Sequence, residues 1–453
     1  VTDMRESADG ADTPEADSGA PGAGPDTGPG SLGALRRRTQ SVLIASQILG
    51  GLGVSTGIAL AAVLAKEIGG SEAVAGLAST SAVLGTAVLS LPFAALMAAR
   101  GRRAGLTLAY AVAAVGGLVV AGAAAVGNFP LMLLGMAAFG AGSSANLQAR
   151  FAAADLAEPA HRGRAISTVV WATTIGAVLG PNIAAPAGET VSGLGIPRAG
   201  GPFLWGSAVF LVCAVLVHTL LRPDPLLTAR RLAAAPPRPT DRADPADPVE
   251  APGPGAEDHS LRAGLAAVRA SARARLALVT IAGSHTVMVS VMVMTPVDLG
   301  GHGADVELIG LVISGHIAGM YAFSPLMGWL ADRLGRLSVI LLGMGLLTCA
   351  TALAGTADGR HAQSAAGLFL LGLGWSAGLV AGSALLTDSV PQPARAAVQG
   401  LSDLLMNAAA GAGGALSGLV VSQAGYGWLN AGAAAVLVPV AGLALRTAAG
   451  RRN

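Results

Sequence analysis

The chain alternates long apolar runs with short polar breaks. Runs fall at roughly 41–65, 73–98, 105–126, 129–151, 166–187, 203–221, 276–298, 308–330, 338–356, 366–387, 397–422 and 428–446. Nearly all are long enough to cross a hydrocarbon core ~30 Å thick as a helix. Gly127-Asn128 is almost all that separates the third run from the fourth, which predicts a tight hairpin. The pattern predicts an all-α integral membrane protein of twelve transmembrane helices, in six-helix halves at 41–221 and 276–446. Residues 1–40, rich in Gly, Pro and Ala with acids from Asp3 to Asp26, read as a disordered acidic tail, and 447–453 as a short second tail. Residues 222–275 read as a solvated proline-rich linker. It ends in a basic amphipathic helix at 260–275, with Arg262, Arg269 and Arg273 opposite Leu261, Leu265 and Val268. That helix either lies along the membrane face or tethers the seventh run.

Composition identifies the solvent. Apolar residues make up 53% and charged residues 12% of the chain, where a soluble domain carries about 25% charged; the mean hydropathy is +0.62. The lipid bilayer is therefore the main partner. The 64 glycines sit mostly inside apolar runs, where small residues let helices approach closely. The net charge of +2 is scattered in short clusters, which gives no footprint for nucleic acid. Cys213 and Cys349 both lie in apolar runs, so no disulfide is expected, and no CxxC motif occurs. No cleavable leader pattern is visible.

Basic residues fix the expected orientation. With the N-terminus inside, the inner segments hold Arg36, Arg37, Arg38, Arg100, Arg102, Arg103, Arg162, Arg164, Arg333, Arg336, Arg395 and Arg446, and the outer loops only Lys66, Arg198 and Arg360. The expectation is a multi-pass plasma-membrane protein with both termini cytoplasmic.

The two halves carry matching landmarks. Gly101-Arg102 matches Gly335-Arg336 at an offset of 234, Gly140 matches Gly372 at 232, Asp155 matches Asp388 at 233, and Arg164 matches Arg395 at 231. Offsets this uniform predict a parallel duplication, an arrangement that puts a transporter's substrate site between its halves near mid-bilayer. The second half also reads Gly328-Trp-Leu-Ala-Asp332-Arg333-Leu-Gly335-Arg336. This loop resembles the GxxxDRxGR signature of the major facilitator superfamily. The resemblance implies a gate: Gly328 for close helix approach, Asp332 at a neighbouring helix N-terminus, and Arg336 paired with Asp388, with Arg395 nearby. In the first half Ala98 stands where Asp332 stands, so the Asp-dependent cap is lost there, while Arg102, Asp155 and Arg164 remain able to pair. Plain positive-inside topology also accounts for the arginines. Gly176-Ala-Val-Leu-Gly180-Pro181 resembles the GxxxGP motif of antiporter branches.

Two readings of the substrate follow. His285, Met288 and Met292 in the seventh run, with His316 and Met320 in the eighth, form MxxxM and HxxxM patterns that resemble the CcoA-like copper importers of the same superfamily. Positions i and i+4 share a helix face, and counting from the connecting loop puts the four MxxxM/HxxxM side chains at similar depth. Thioethers with imidazole suit Cu(I). Methionine is equally a lipid-compatible packing residue. Separately, Gln399, Asp403 and Asn407 form an i, i+4, i+8 polar stripe in the eleventh run, and Gln47, Asn146, Gln148, Arg150 and Asn182 add buried polarity. Asp403 is the candidate for proton coupling; an interhelical structural bond is the competing role. Copper uptake and proton-linked efflux of a drug or metabolite therefore both stand. No HExxH, GxSxG or Walker loop is present, so neither an enzyme nor an ATP-driven pump is expected, and no cofactor is implied.

Overall fold

The computed structural model describes residues 29–70, 75–191, 193, 195–234 and 261–449. These are helical almost throughout. The first half contains α1 (Pro29–Gly69), α2 (Ala75–Arg100), α3 (Arg102–Val126), α4 (Phe129–Phe139), α5 (Ala141–Asp155), α6 (Arg162–Glu189) and α7 (Gly201–Leu220). Two short helices follow, α8 (Pro225–Ala234) and α9 (Leu261–Ala270). The second half contains α10 (Ala272–Gly301), α11 (Val306–Ile317), α12 (Ser324–Arg333), α13 (Arg336–Gly355), α14 (His361–Ser389), α15 (Arg395–Ala424) and α16 (Tyr426–Ala449). Among the described residues, eleven helical stretches are long and apolar enough to span a bilayer. The twelfth crossing is α4 with α5, interrupted at Gly140. At 11 and 15 residues neither helix spans alone, and Ser143, Ser144, Asn146, Gln148, Arg150 and Asp155 make α5 polar as well. The protein is thus a twelve-helix multi-pass membrane protein, as the apolar pattern predicts.

Local signals set several boundaries. Gly127 adopts a left-handed φ of 65°, and the Asn128 side chain accepts from the Leu131 amide at 3.0 Å, so the α3–α4 hairpin is closed by a C-cap glycine and an N-cap asparagine. Gly101 and Gly335 have φ of 89° and 88° at corresponding turns of the two halves. The helices pack to matching geometry as well. A Cβ at Gly85 would meet the Ala137 carbonyl oxygen at 1.9 Å, and one at Gly319 would meet that of Phe369 at 2.6 Å. The crossing of α2 with α4 and that of α14 with the π-helical turn Ala318–Ala322, between α11 and α12, are therefore equivalent backbone-on-backbone contacts.

Three stretches differ from the sequence reading. Residues 29–40 continue α1, which at 41 residues runs about 60 Å and reaches well past a bilayer; the rest of the expected tail, 1–28, lies outside the described residues. The linker contains α8, whose start is the Asp-Pro cap signal Asp224-Pro225: Asp224 accepts from the Leu226 and Leu227 amides. Its prolines beyond 234, and 235–260 generally, lie outside the described residues. The amphipathic helix ends at Ala270 because Ser271 caps α10, accepting from the Ala274 amide at 3.2 Å. Val268 is buried, and Gly264 lies against Ala397 and Val398, so α9 is seated on the start of α15.

Each half has an apolar core. One centres on Phe139, Phe203 and Phe210, and the other on Ile281, Leu347 and Trp375. The second core also takes in Phe151, Ala154, Ile166 and Val170 of α5 and α6. These residues and the arginine clusters around Arg102, Arg162, Arg336 and Arg395 share one end of the bundle, the basic end, where the halves are joined.

Candidate functional site

Polar contacts between the halves begin with a chain of buried side chains on α3, α5, α14 and α15. The Asp403 carboxylate receives Arg150 Nη2 at 2.7 Å and Gln148 Nε2 at 2.7 Å. Arg150 also donates to Ser383 Oγ at 3.1 Å and to the Leu147 carbonyl at 3.0 Å, and its guanidinium lies 4.5 Å from the centre of the Phe151 ring. Arg102 binds Asp155 at 2.7 and 3.3 Å and Gln148 at 3.0 Å, and reaches Gln399 across the seam. Gln399 donates on to Thr387 at 3.4 Å. The Arg102, Asp155 and Asp403 side chains are fully enclosed and that of Arg150 nearly so. Charges this deep persist only when paired and hydrogen-bonded; each cation here faces a carboxylate. Asn407 donates to the Asp403 carbonyl at 2.8 Å, so it holds the helix turn and does not touch the carboxylate.

Toward the basic end, α12 crosses α6 at Gly328. A Cβ there would lie 2.1 Å from Ser167 Oγ and 2.5 Å from the Gly163 carbonyl oxygen. That close approach places the Asp332 carboxylate at the first turn of α6, where it accepts from the Gly163 and Arg164 amides at 2.9 and 2.8 Å. Two free helix-terminal N–H groups and the positive end of the dipole favour an anion there. Arg336 holds Asp332 at 2.7 Å and Asp388 at 3.3 Å, and donates to the Pro159 carbonyl at 2.5 Å; Arg162 also binds Asp388. Arg333 turns away onto the Trp329 ring, 5.2 Å from its centre. Nearby, Ser324 Oγ donates to the Ser167 carbonyl at 2.9 Å.

The first half solves the same crossing differently. Arg102–Asp155 repeats the Arg336–Asp388 pairing. With Ala98 in place of a carboxylate, the seam against α15 is apolar: Leu226 of α8 fills it, in contact with Ala98 and Ala396, all three buried. Asp224 turns instead to the Arg103 amide at 2.7 Å. Arg164 does not pair through its side chain, which is exposed. Its neighbour Arg162 takes that part, because α6 and α15 begin at Arg162 and Arg395, an offset of 233. Arg395 binds the Val390 carbonyl and Gln392, not Asp388.

Met288 and Met320 belong to the buried core of the second half, with Met292 packed against it. α11 packs on α14, and His316 Nδ1 lies 2.8 Å from the Leu368 carbonyl oxygen, which spends that nitrogen's proton; Nε2 is buried without a partner. Met320 falls in a π-helical turn, Ala318–Ala322, which widens the helix between it and His316. Met288 is buried on α10 and Met292 half-buried. His285 accepts from Trp375 Nε1–H at 2.8 Å, which leaves its own proton on Nε2. Tyr321 stands edge-on to Trp375 with ring centres 5.6 Å apart. Sequence reasoning passed over Trp375 and Tyr321; the signal available was two aromatics on otherwise aliphatic helices. Gln47 and Asn146 bond within the first half, to Thr173 and Tyr110, and Gly176 and Gly180 pack on the backbone and Ser55 of α1.

Twelve crossings in two alike halves, joined through a buried ion-pair chain at one end, are the architecture of a membrane transporter built from two repeats. The chain belongs to the Major Facilitator Superfamily, whose sequence pattern it matches over residues 43–300 and 276–452. It is 36% identical over 414 residues to the uncharacterised MFS-type transporter YddS of Bacillus subtilis (strain 168), covering 90% of each chain. It is 28% identical over 397 residues to the riboflavin transporter RfnT of Brucella anthropi, covering 87% of this chain and 92% of that one. Its fold is similar to the crystal structure of the human organic anion transporter MFSD10, with a TM-score of 0.67 at 17% identity, covering 90% of this chain and 99% of that one.

Proposed function

We propose that the protein is a proton-coupled transporter of a small organic solute in the plasma membrane, with its basic end in the cytoplasm. The observation that carries this reading is the enclosed Arg150–Asp403 pair, which links α5 of one half to α15 of the other. A proton on Asp403 cancels its charge and removes its hold on Arg150. Other ties across the seam, among them Arg102–Gln399, Arg162–Asp388 and the Asp332 cap, are untouched by it, so protonation removes one tie and lowers the cost of separating the halves. The identity to a riboflavin transporter over most of the chain favours a solute with a planar ring, and the Trp375, Tyr321 and His285 group offers aromatic faces and an imidazole N–H to such a ring.

The test is transport into proteoliposomes under an imposed pH gradient, with riboflavin as the probe. Asp403→Asn is expected to keep solute exchange at zero gradient and lose gradient-driven accumulation. Accumulation equal to wild type in Asp403→Asn sinks the coupling role. The sign of the gradient that drives accumulation separates uptake from efflux.

A second reading, Cu(I) as substrate, rests on the unpartnered, buried Nε2 of His316, a nitrogen able to bind a soft metal. It predicts copper accumulation in expressing cells that His316→Ala abolishes; unchanged copper content in cells with the wild-type protein removes it.

A further inference from the structure

A crevice of about 300 Å³ opens at the basic end, where it meets the ion-pair chain at Asp155. Its walls come from five places, one of them the end of α5 and the turn after it, with Asp155 and Glu158. Leu32, Leu35 and Arg36 belong to the overhang of α1, Arg162 begins α6, Gln392 and Arg395 lead into α15, and Ala229 and Leu232 belong to α8. It therefore straddles the seam between the halves, with the linker helix as a flap.

The charge balance around it is uneven. Asp155 is held by Arg102, Glu158 by Arg36, and Asp388 by Arg162 and Arg336 together; Asp332 is held by Arg336 and the α6 amides. Five guanidinium groups (Arg36, Arg102, Arg162, Arg336, Arg395) thus meet four carboxylates (Asp155, Glu158, Asp332, Asp388), a surplus of one positive charge. The nearby Arg36 guanidinium keeps the Glu158 carboxyl below its ordinary pKa, with His161 adding to the effect, so Glu158 is already ionised at neutral pH. The unmatched cation is Arg395. It is half-buried, its hydrogen bonds go only to the neutral Val390 carbonyl and the Gln392 amide oxygen, and its Nη2 makes none. Arg162 Nε and Gln392 Nε2, on residues that line the crevice, are buried without partners and reach it once those side chains turn. Water can satisfy isolated donors, but it does not balance a charge. Three unspent donors around a surplus guanidinium match the several acceptor oxygens of a phosphate group.

We propose that this crevice is a binding site for a phosphate-bearing anion, held by Arg395, Arg162 and Gln392 across the seam between the halves. Such an anion ties α6 to α15 with α8 over it, so it holds the basic end shut and slows the transport cycle. The phosphate can be free in solution or the exposed headgroup of a lipid, since the crevice opens where the inner leaflet ends.

The experiment uses the purified full chain and reads its thermal unfolding midpoint. Inorganic phosphate is titrated against chloride at matched ionic strength, and in a second arm the protein sits in phosphatidylcholine vesicles with or without phosphatidic acid. Wild type should be stabilised by at least one of the two, and which one identifies the source. Arg395→Gln should raise the half-saturating concentration at least about tenfold. Arg446→Gln, at an exposed arginine remote from the crevice, controls for loss of charge alone. Gln392→Glu places a carboxylate beside Arg395 and should remove the phosphate response while the protein stays folded. No stabilisation of wild type in either arm, or an equal response in Arg395→Gln, overturns the proposal.

Discussion

Asp403 and Arg150 depend on each other. An enclosed guanidinium without its carboxylate costs about 3–5 kcal/mol, most of it the burial of an unmatched charge. Asp403→Leu should therefore lower the unfolding midpoint sharply. The double variant Asp403→Leu/Arg150→Met, which removes both charges, should recover most of that loss and still fail to transport. Thermal unfolding of the three proteins, read as a double-mutant cycle, checks this; additive losses would mean the two side chains act independently. Asp332 acts by different means, since its oxygens are spent on the first amides of α6 and on Arg336. Asp332→Ala should loosen the basic end without unfolding the chain. The expected readout is faster maleimide labelling of a cysteine introduced at Ser324, which the closed seam buries.

At the scale of helices, the interruptions matter more than the regular turns. α4 and α5 part at Gly140, where a Cβ would strike the Ala82 carbonyl oxygen at 2.2 Å. α11 and α12 part at a π-turn that delivers Tyr321 to Trp375. The apolar pattern shows that these crossings exist, because lipid demands about twenty apolar residues whatever lies within them. It is silent on the breaks, which depend on what the neighbouring helix presents at each depth. The same limit explains the Met/His stripe. The pattern gives the spacing of His316 and Met320 but not the π-turn at Ala318–Ala322 that begins between them. The polar stripe on α15 proved more legible, because charge inside a membrane has few places to go. Its partners Arg150 and Gln148 were visible as buried polarity, but only tertiary contact links them to Asp403. α8 escaped the sequence reading because its ten residues sit beside a proline-rich stretch. Its role predicts that Leu226→Ala, which leaves a gap between Ala98 and Ala396, raises protease cleavage in the linker; unchanged cleavage would mean α8 is not held by that contact.

For the molecule as a whole, the bonds joining the halves lie at the basic end, and separating them there is the motion that alternating access requires. A short reducible cross-link between cysteines introduced at Ser167 and Ser324, whose backbone and hydroxyl already meet across the seam at 2.9 Å, should stop transport. Reduction should restore it. Continued transport by the cross-linked protein would mean that this end need not part.

The halves, though built alike, are fastened on their two flanks by unlike materials. Asp332 on the α6 amides is an electrostatic clasp, while Leu226 between Ala98 and Ala396 is an oily one. Dissolved salt screens the first only in part, since the Asp332 and Arg336 side chains are about nine-tenths enclosed, and salts excluded from protein surfaces strengthen the second. The bundle is thus expected to unzip from the α6–α12 flank in concentrated sulfate and more evenly in dilute buffer, a difference that labelling at Ser324 and Ala396 can read. A bundle fastened by unlike means on its two flanks has a preferred side from which to open.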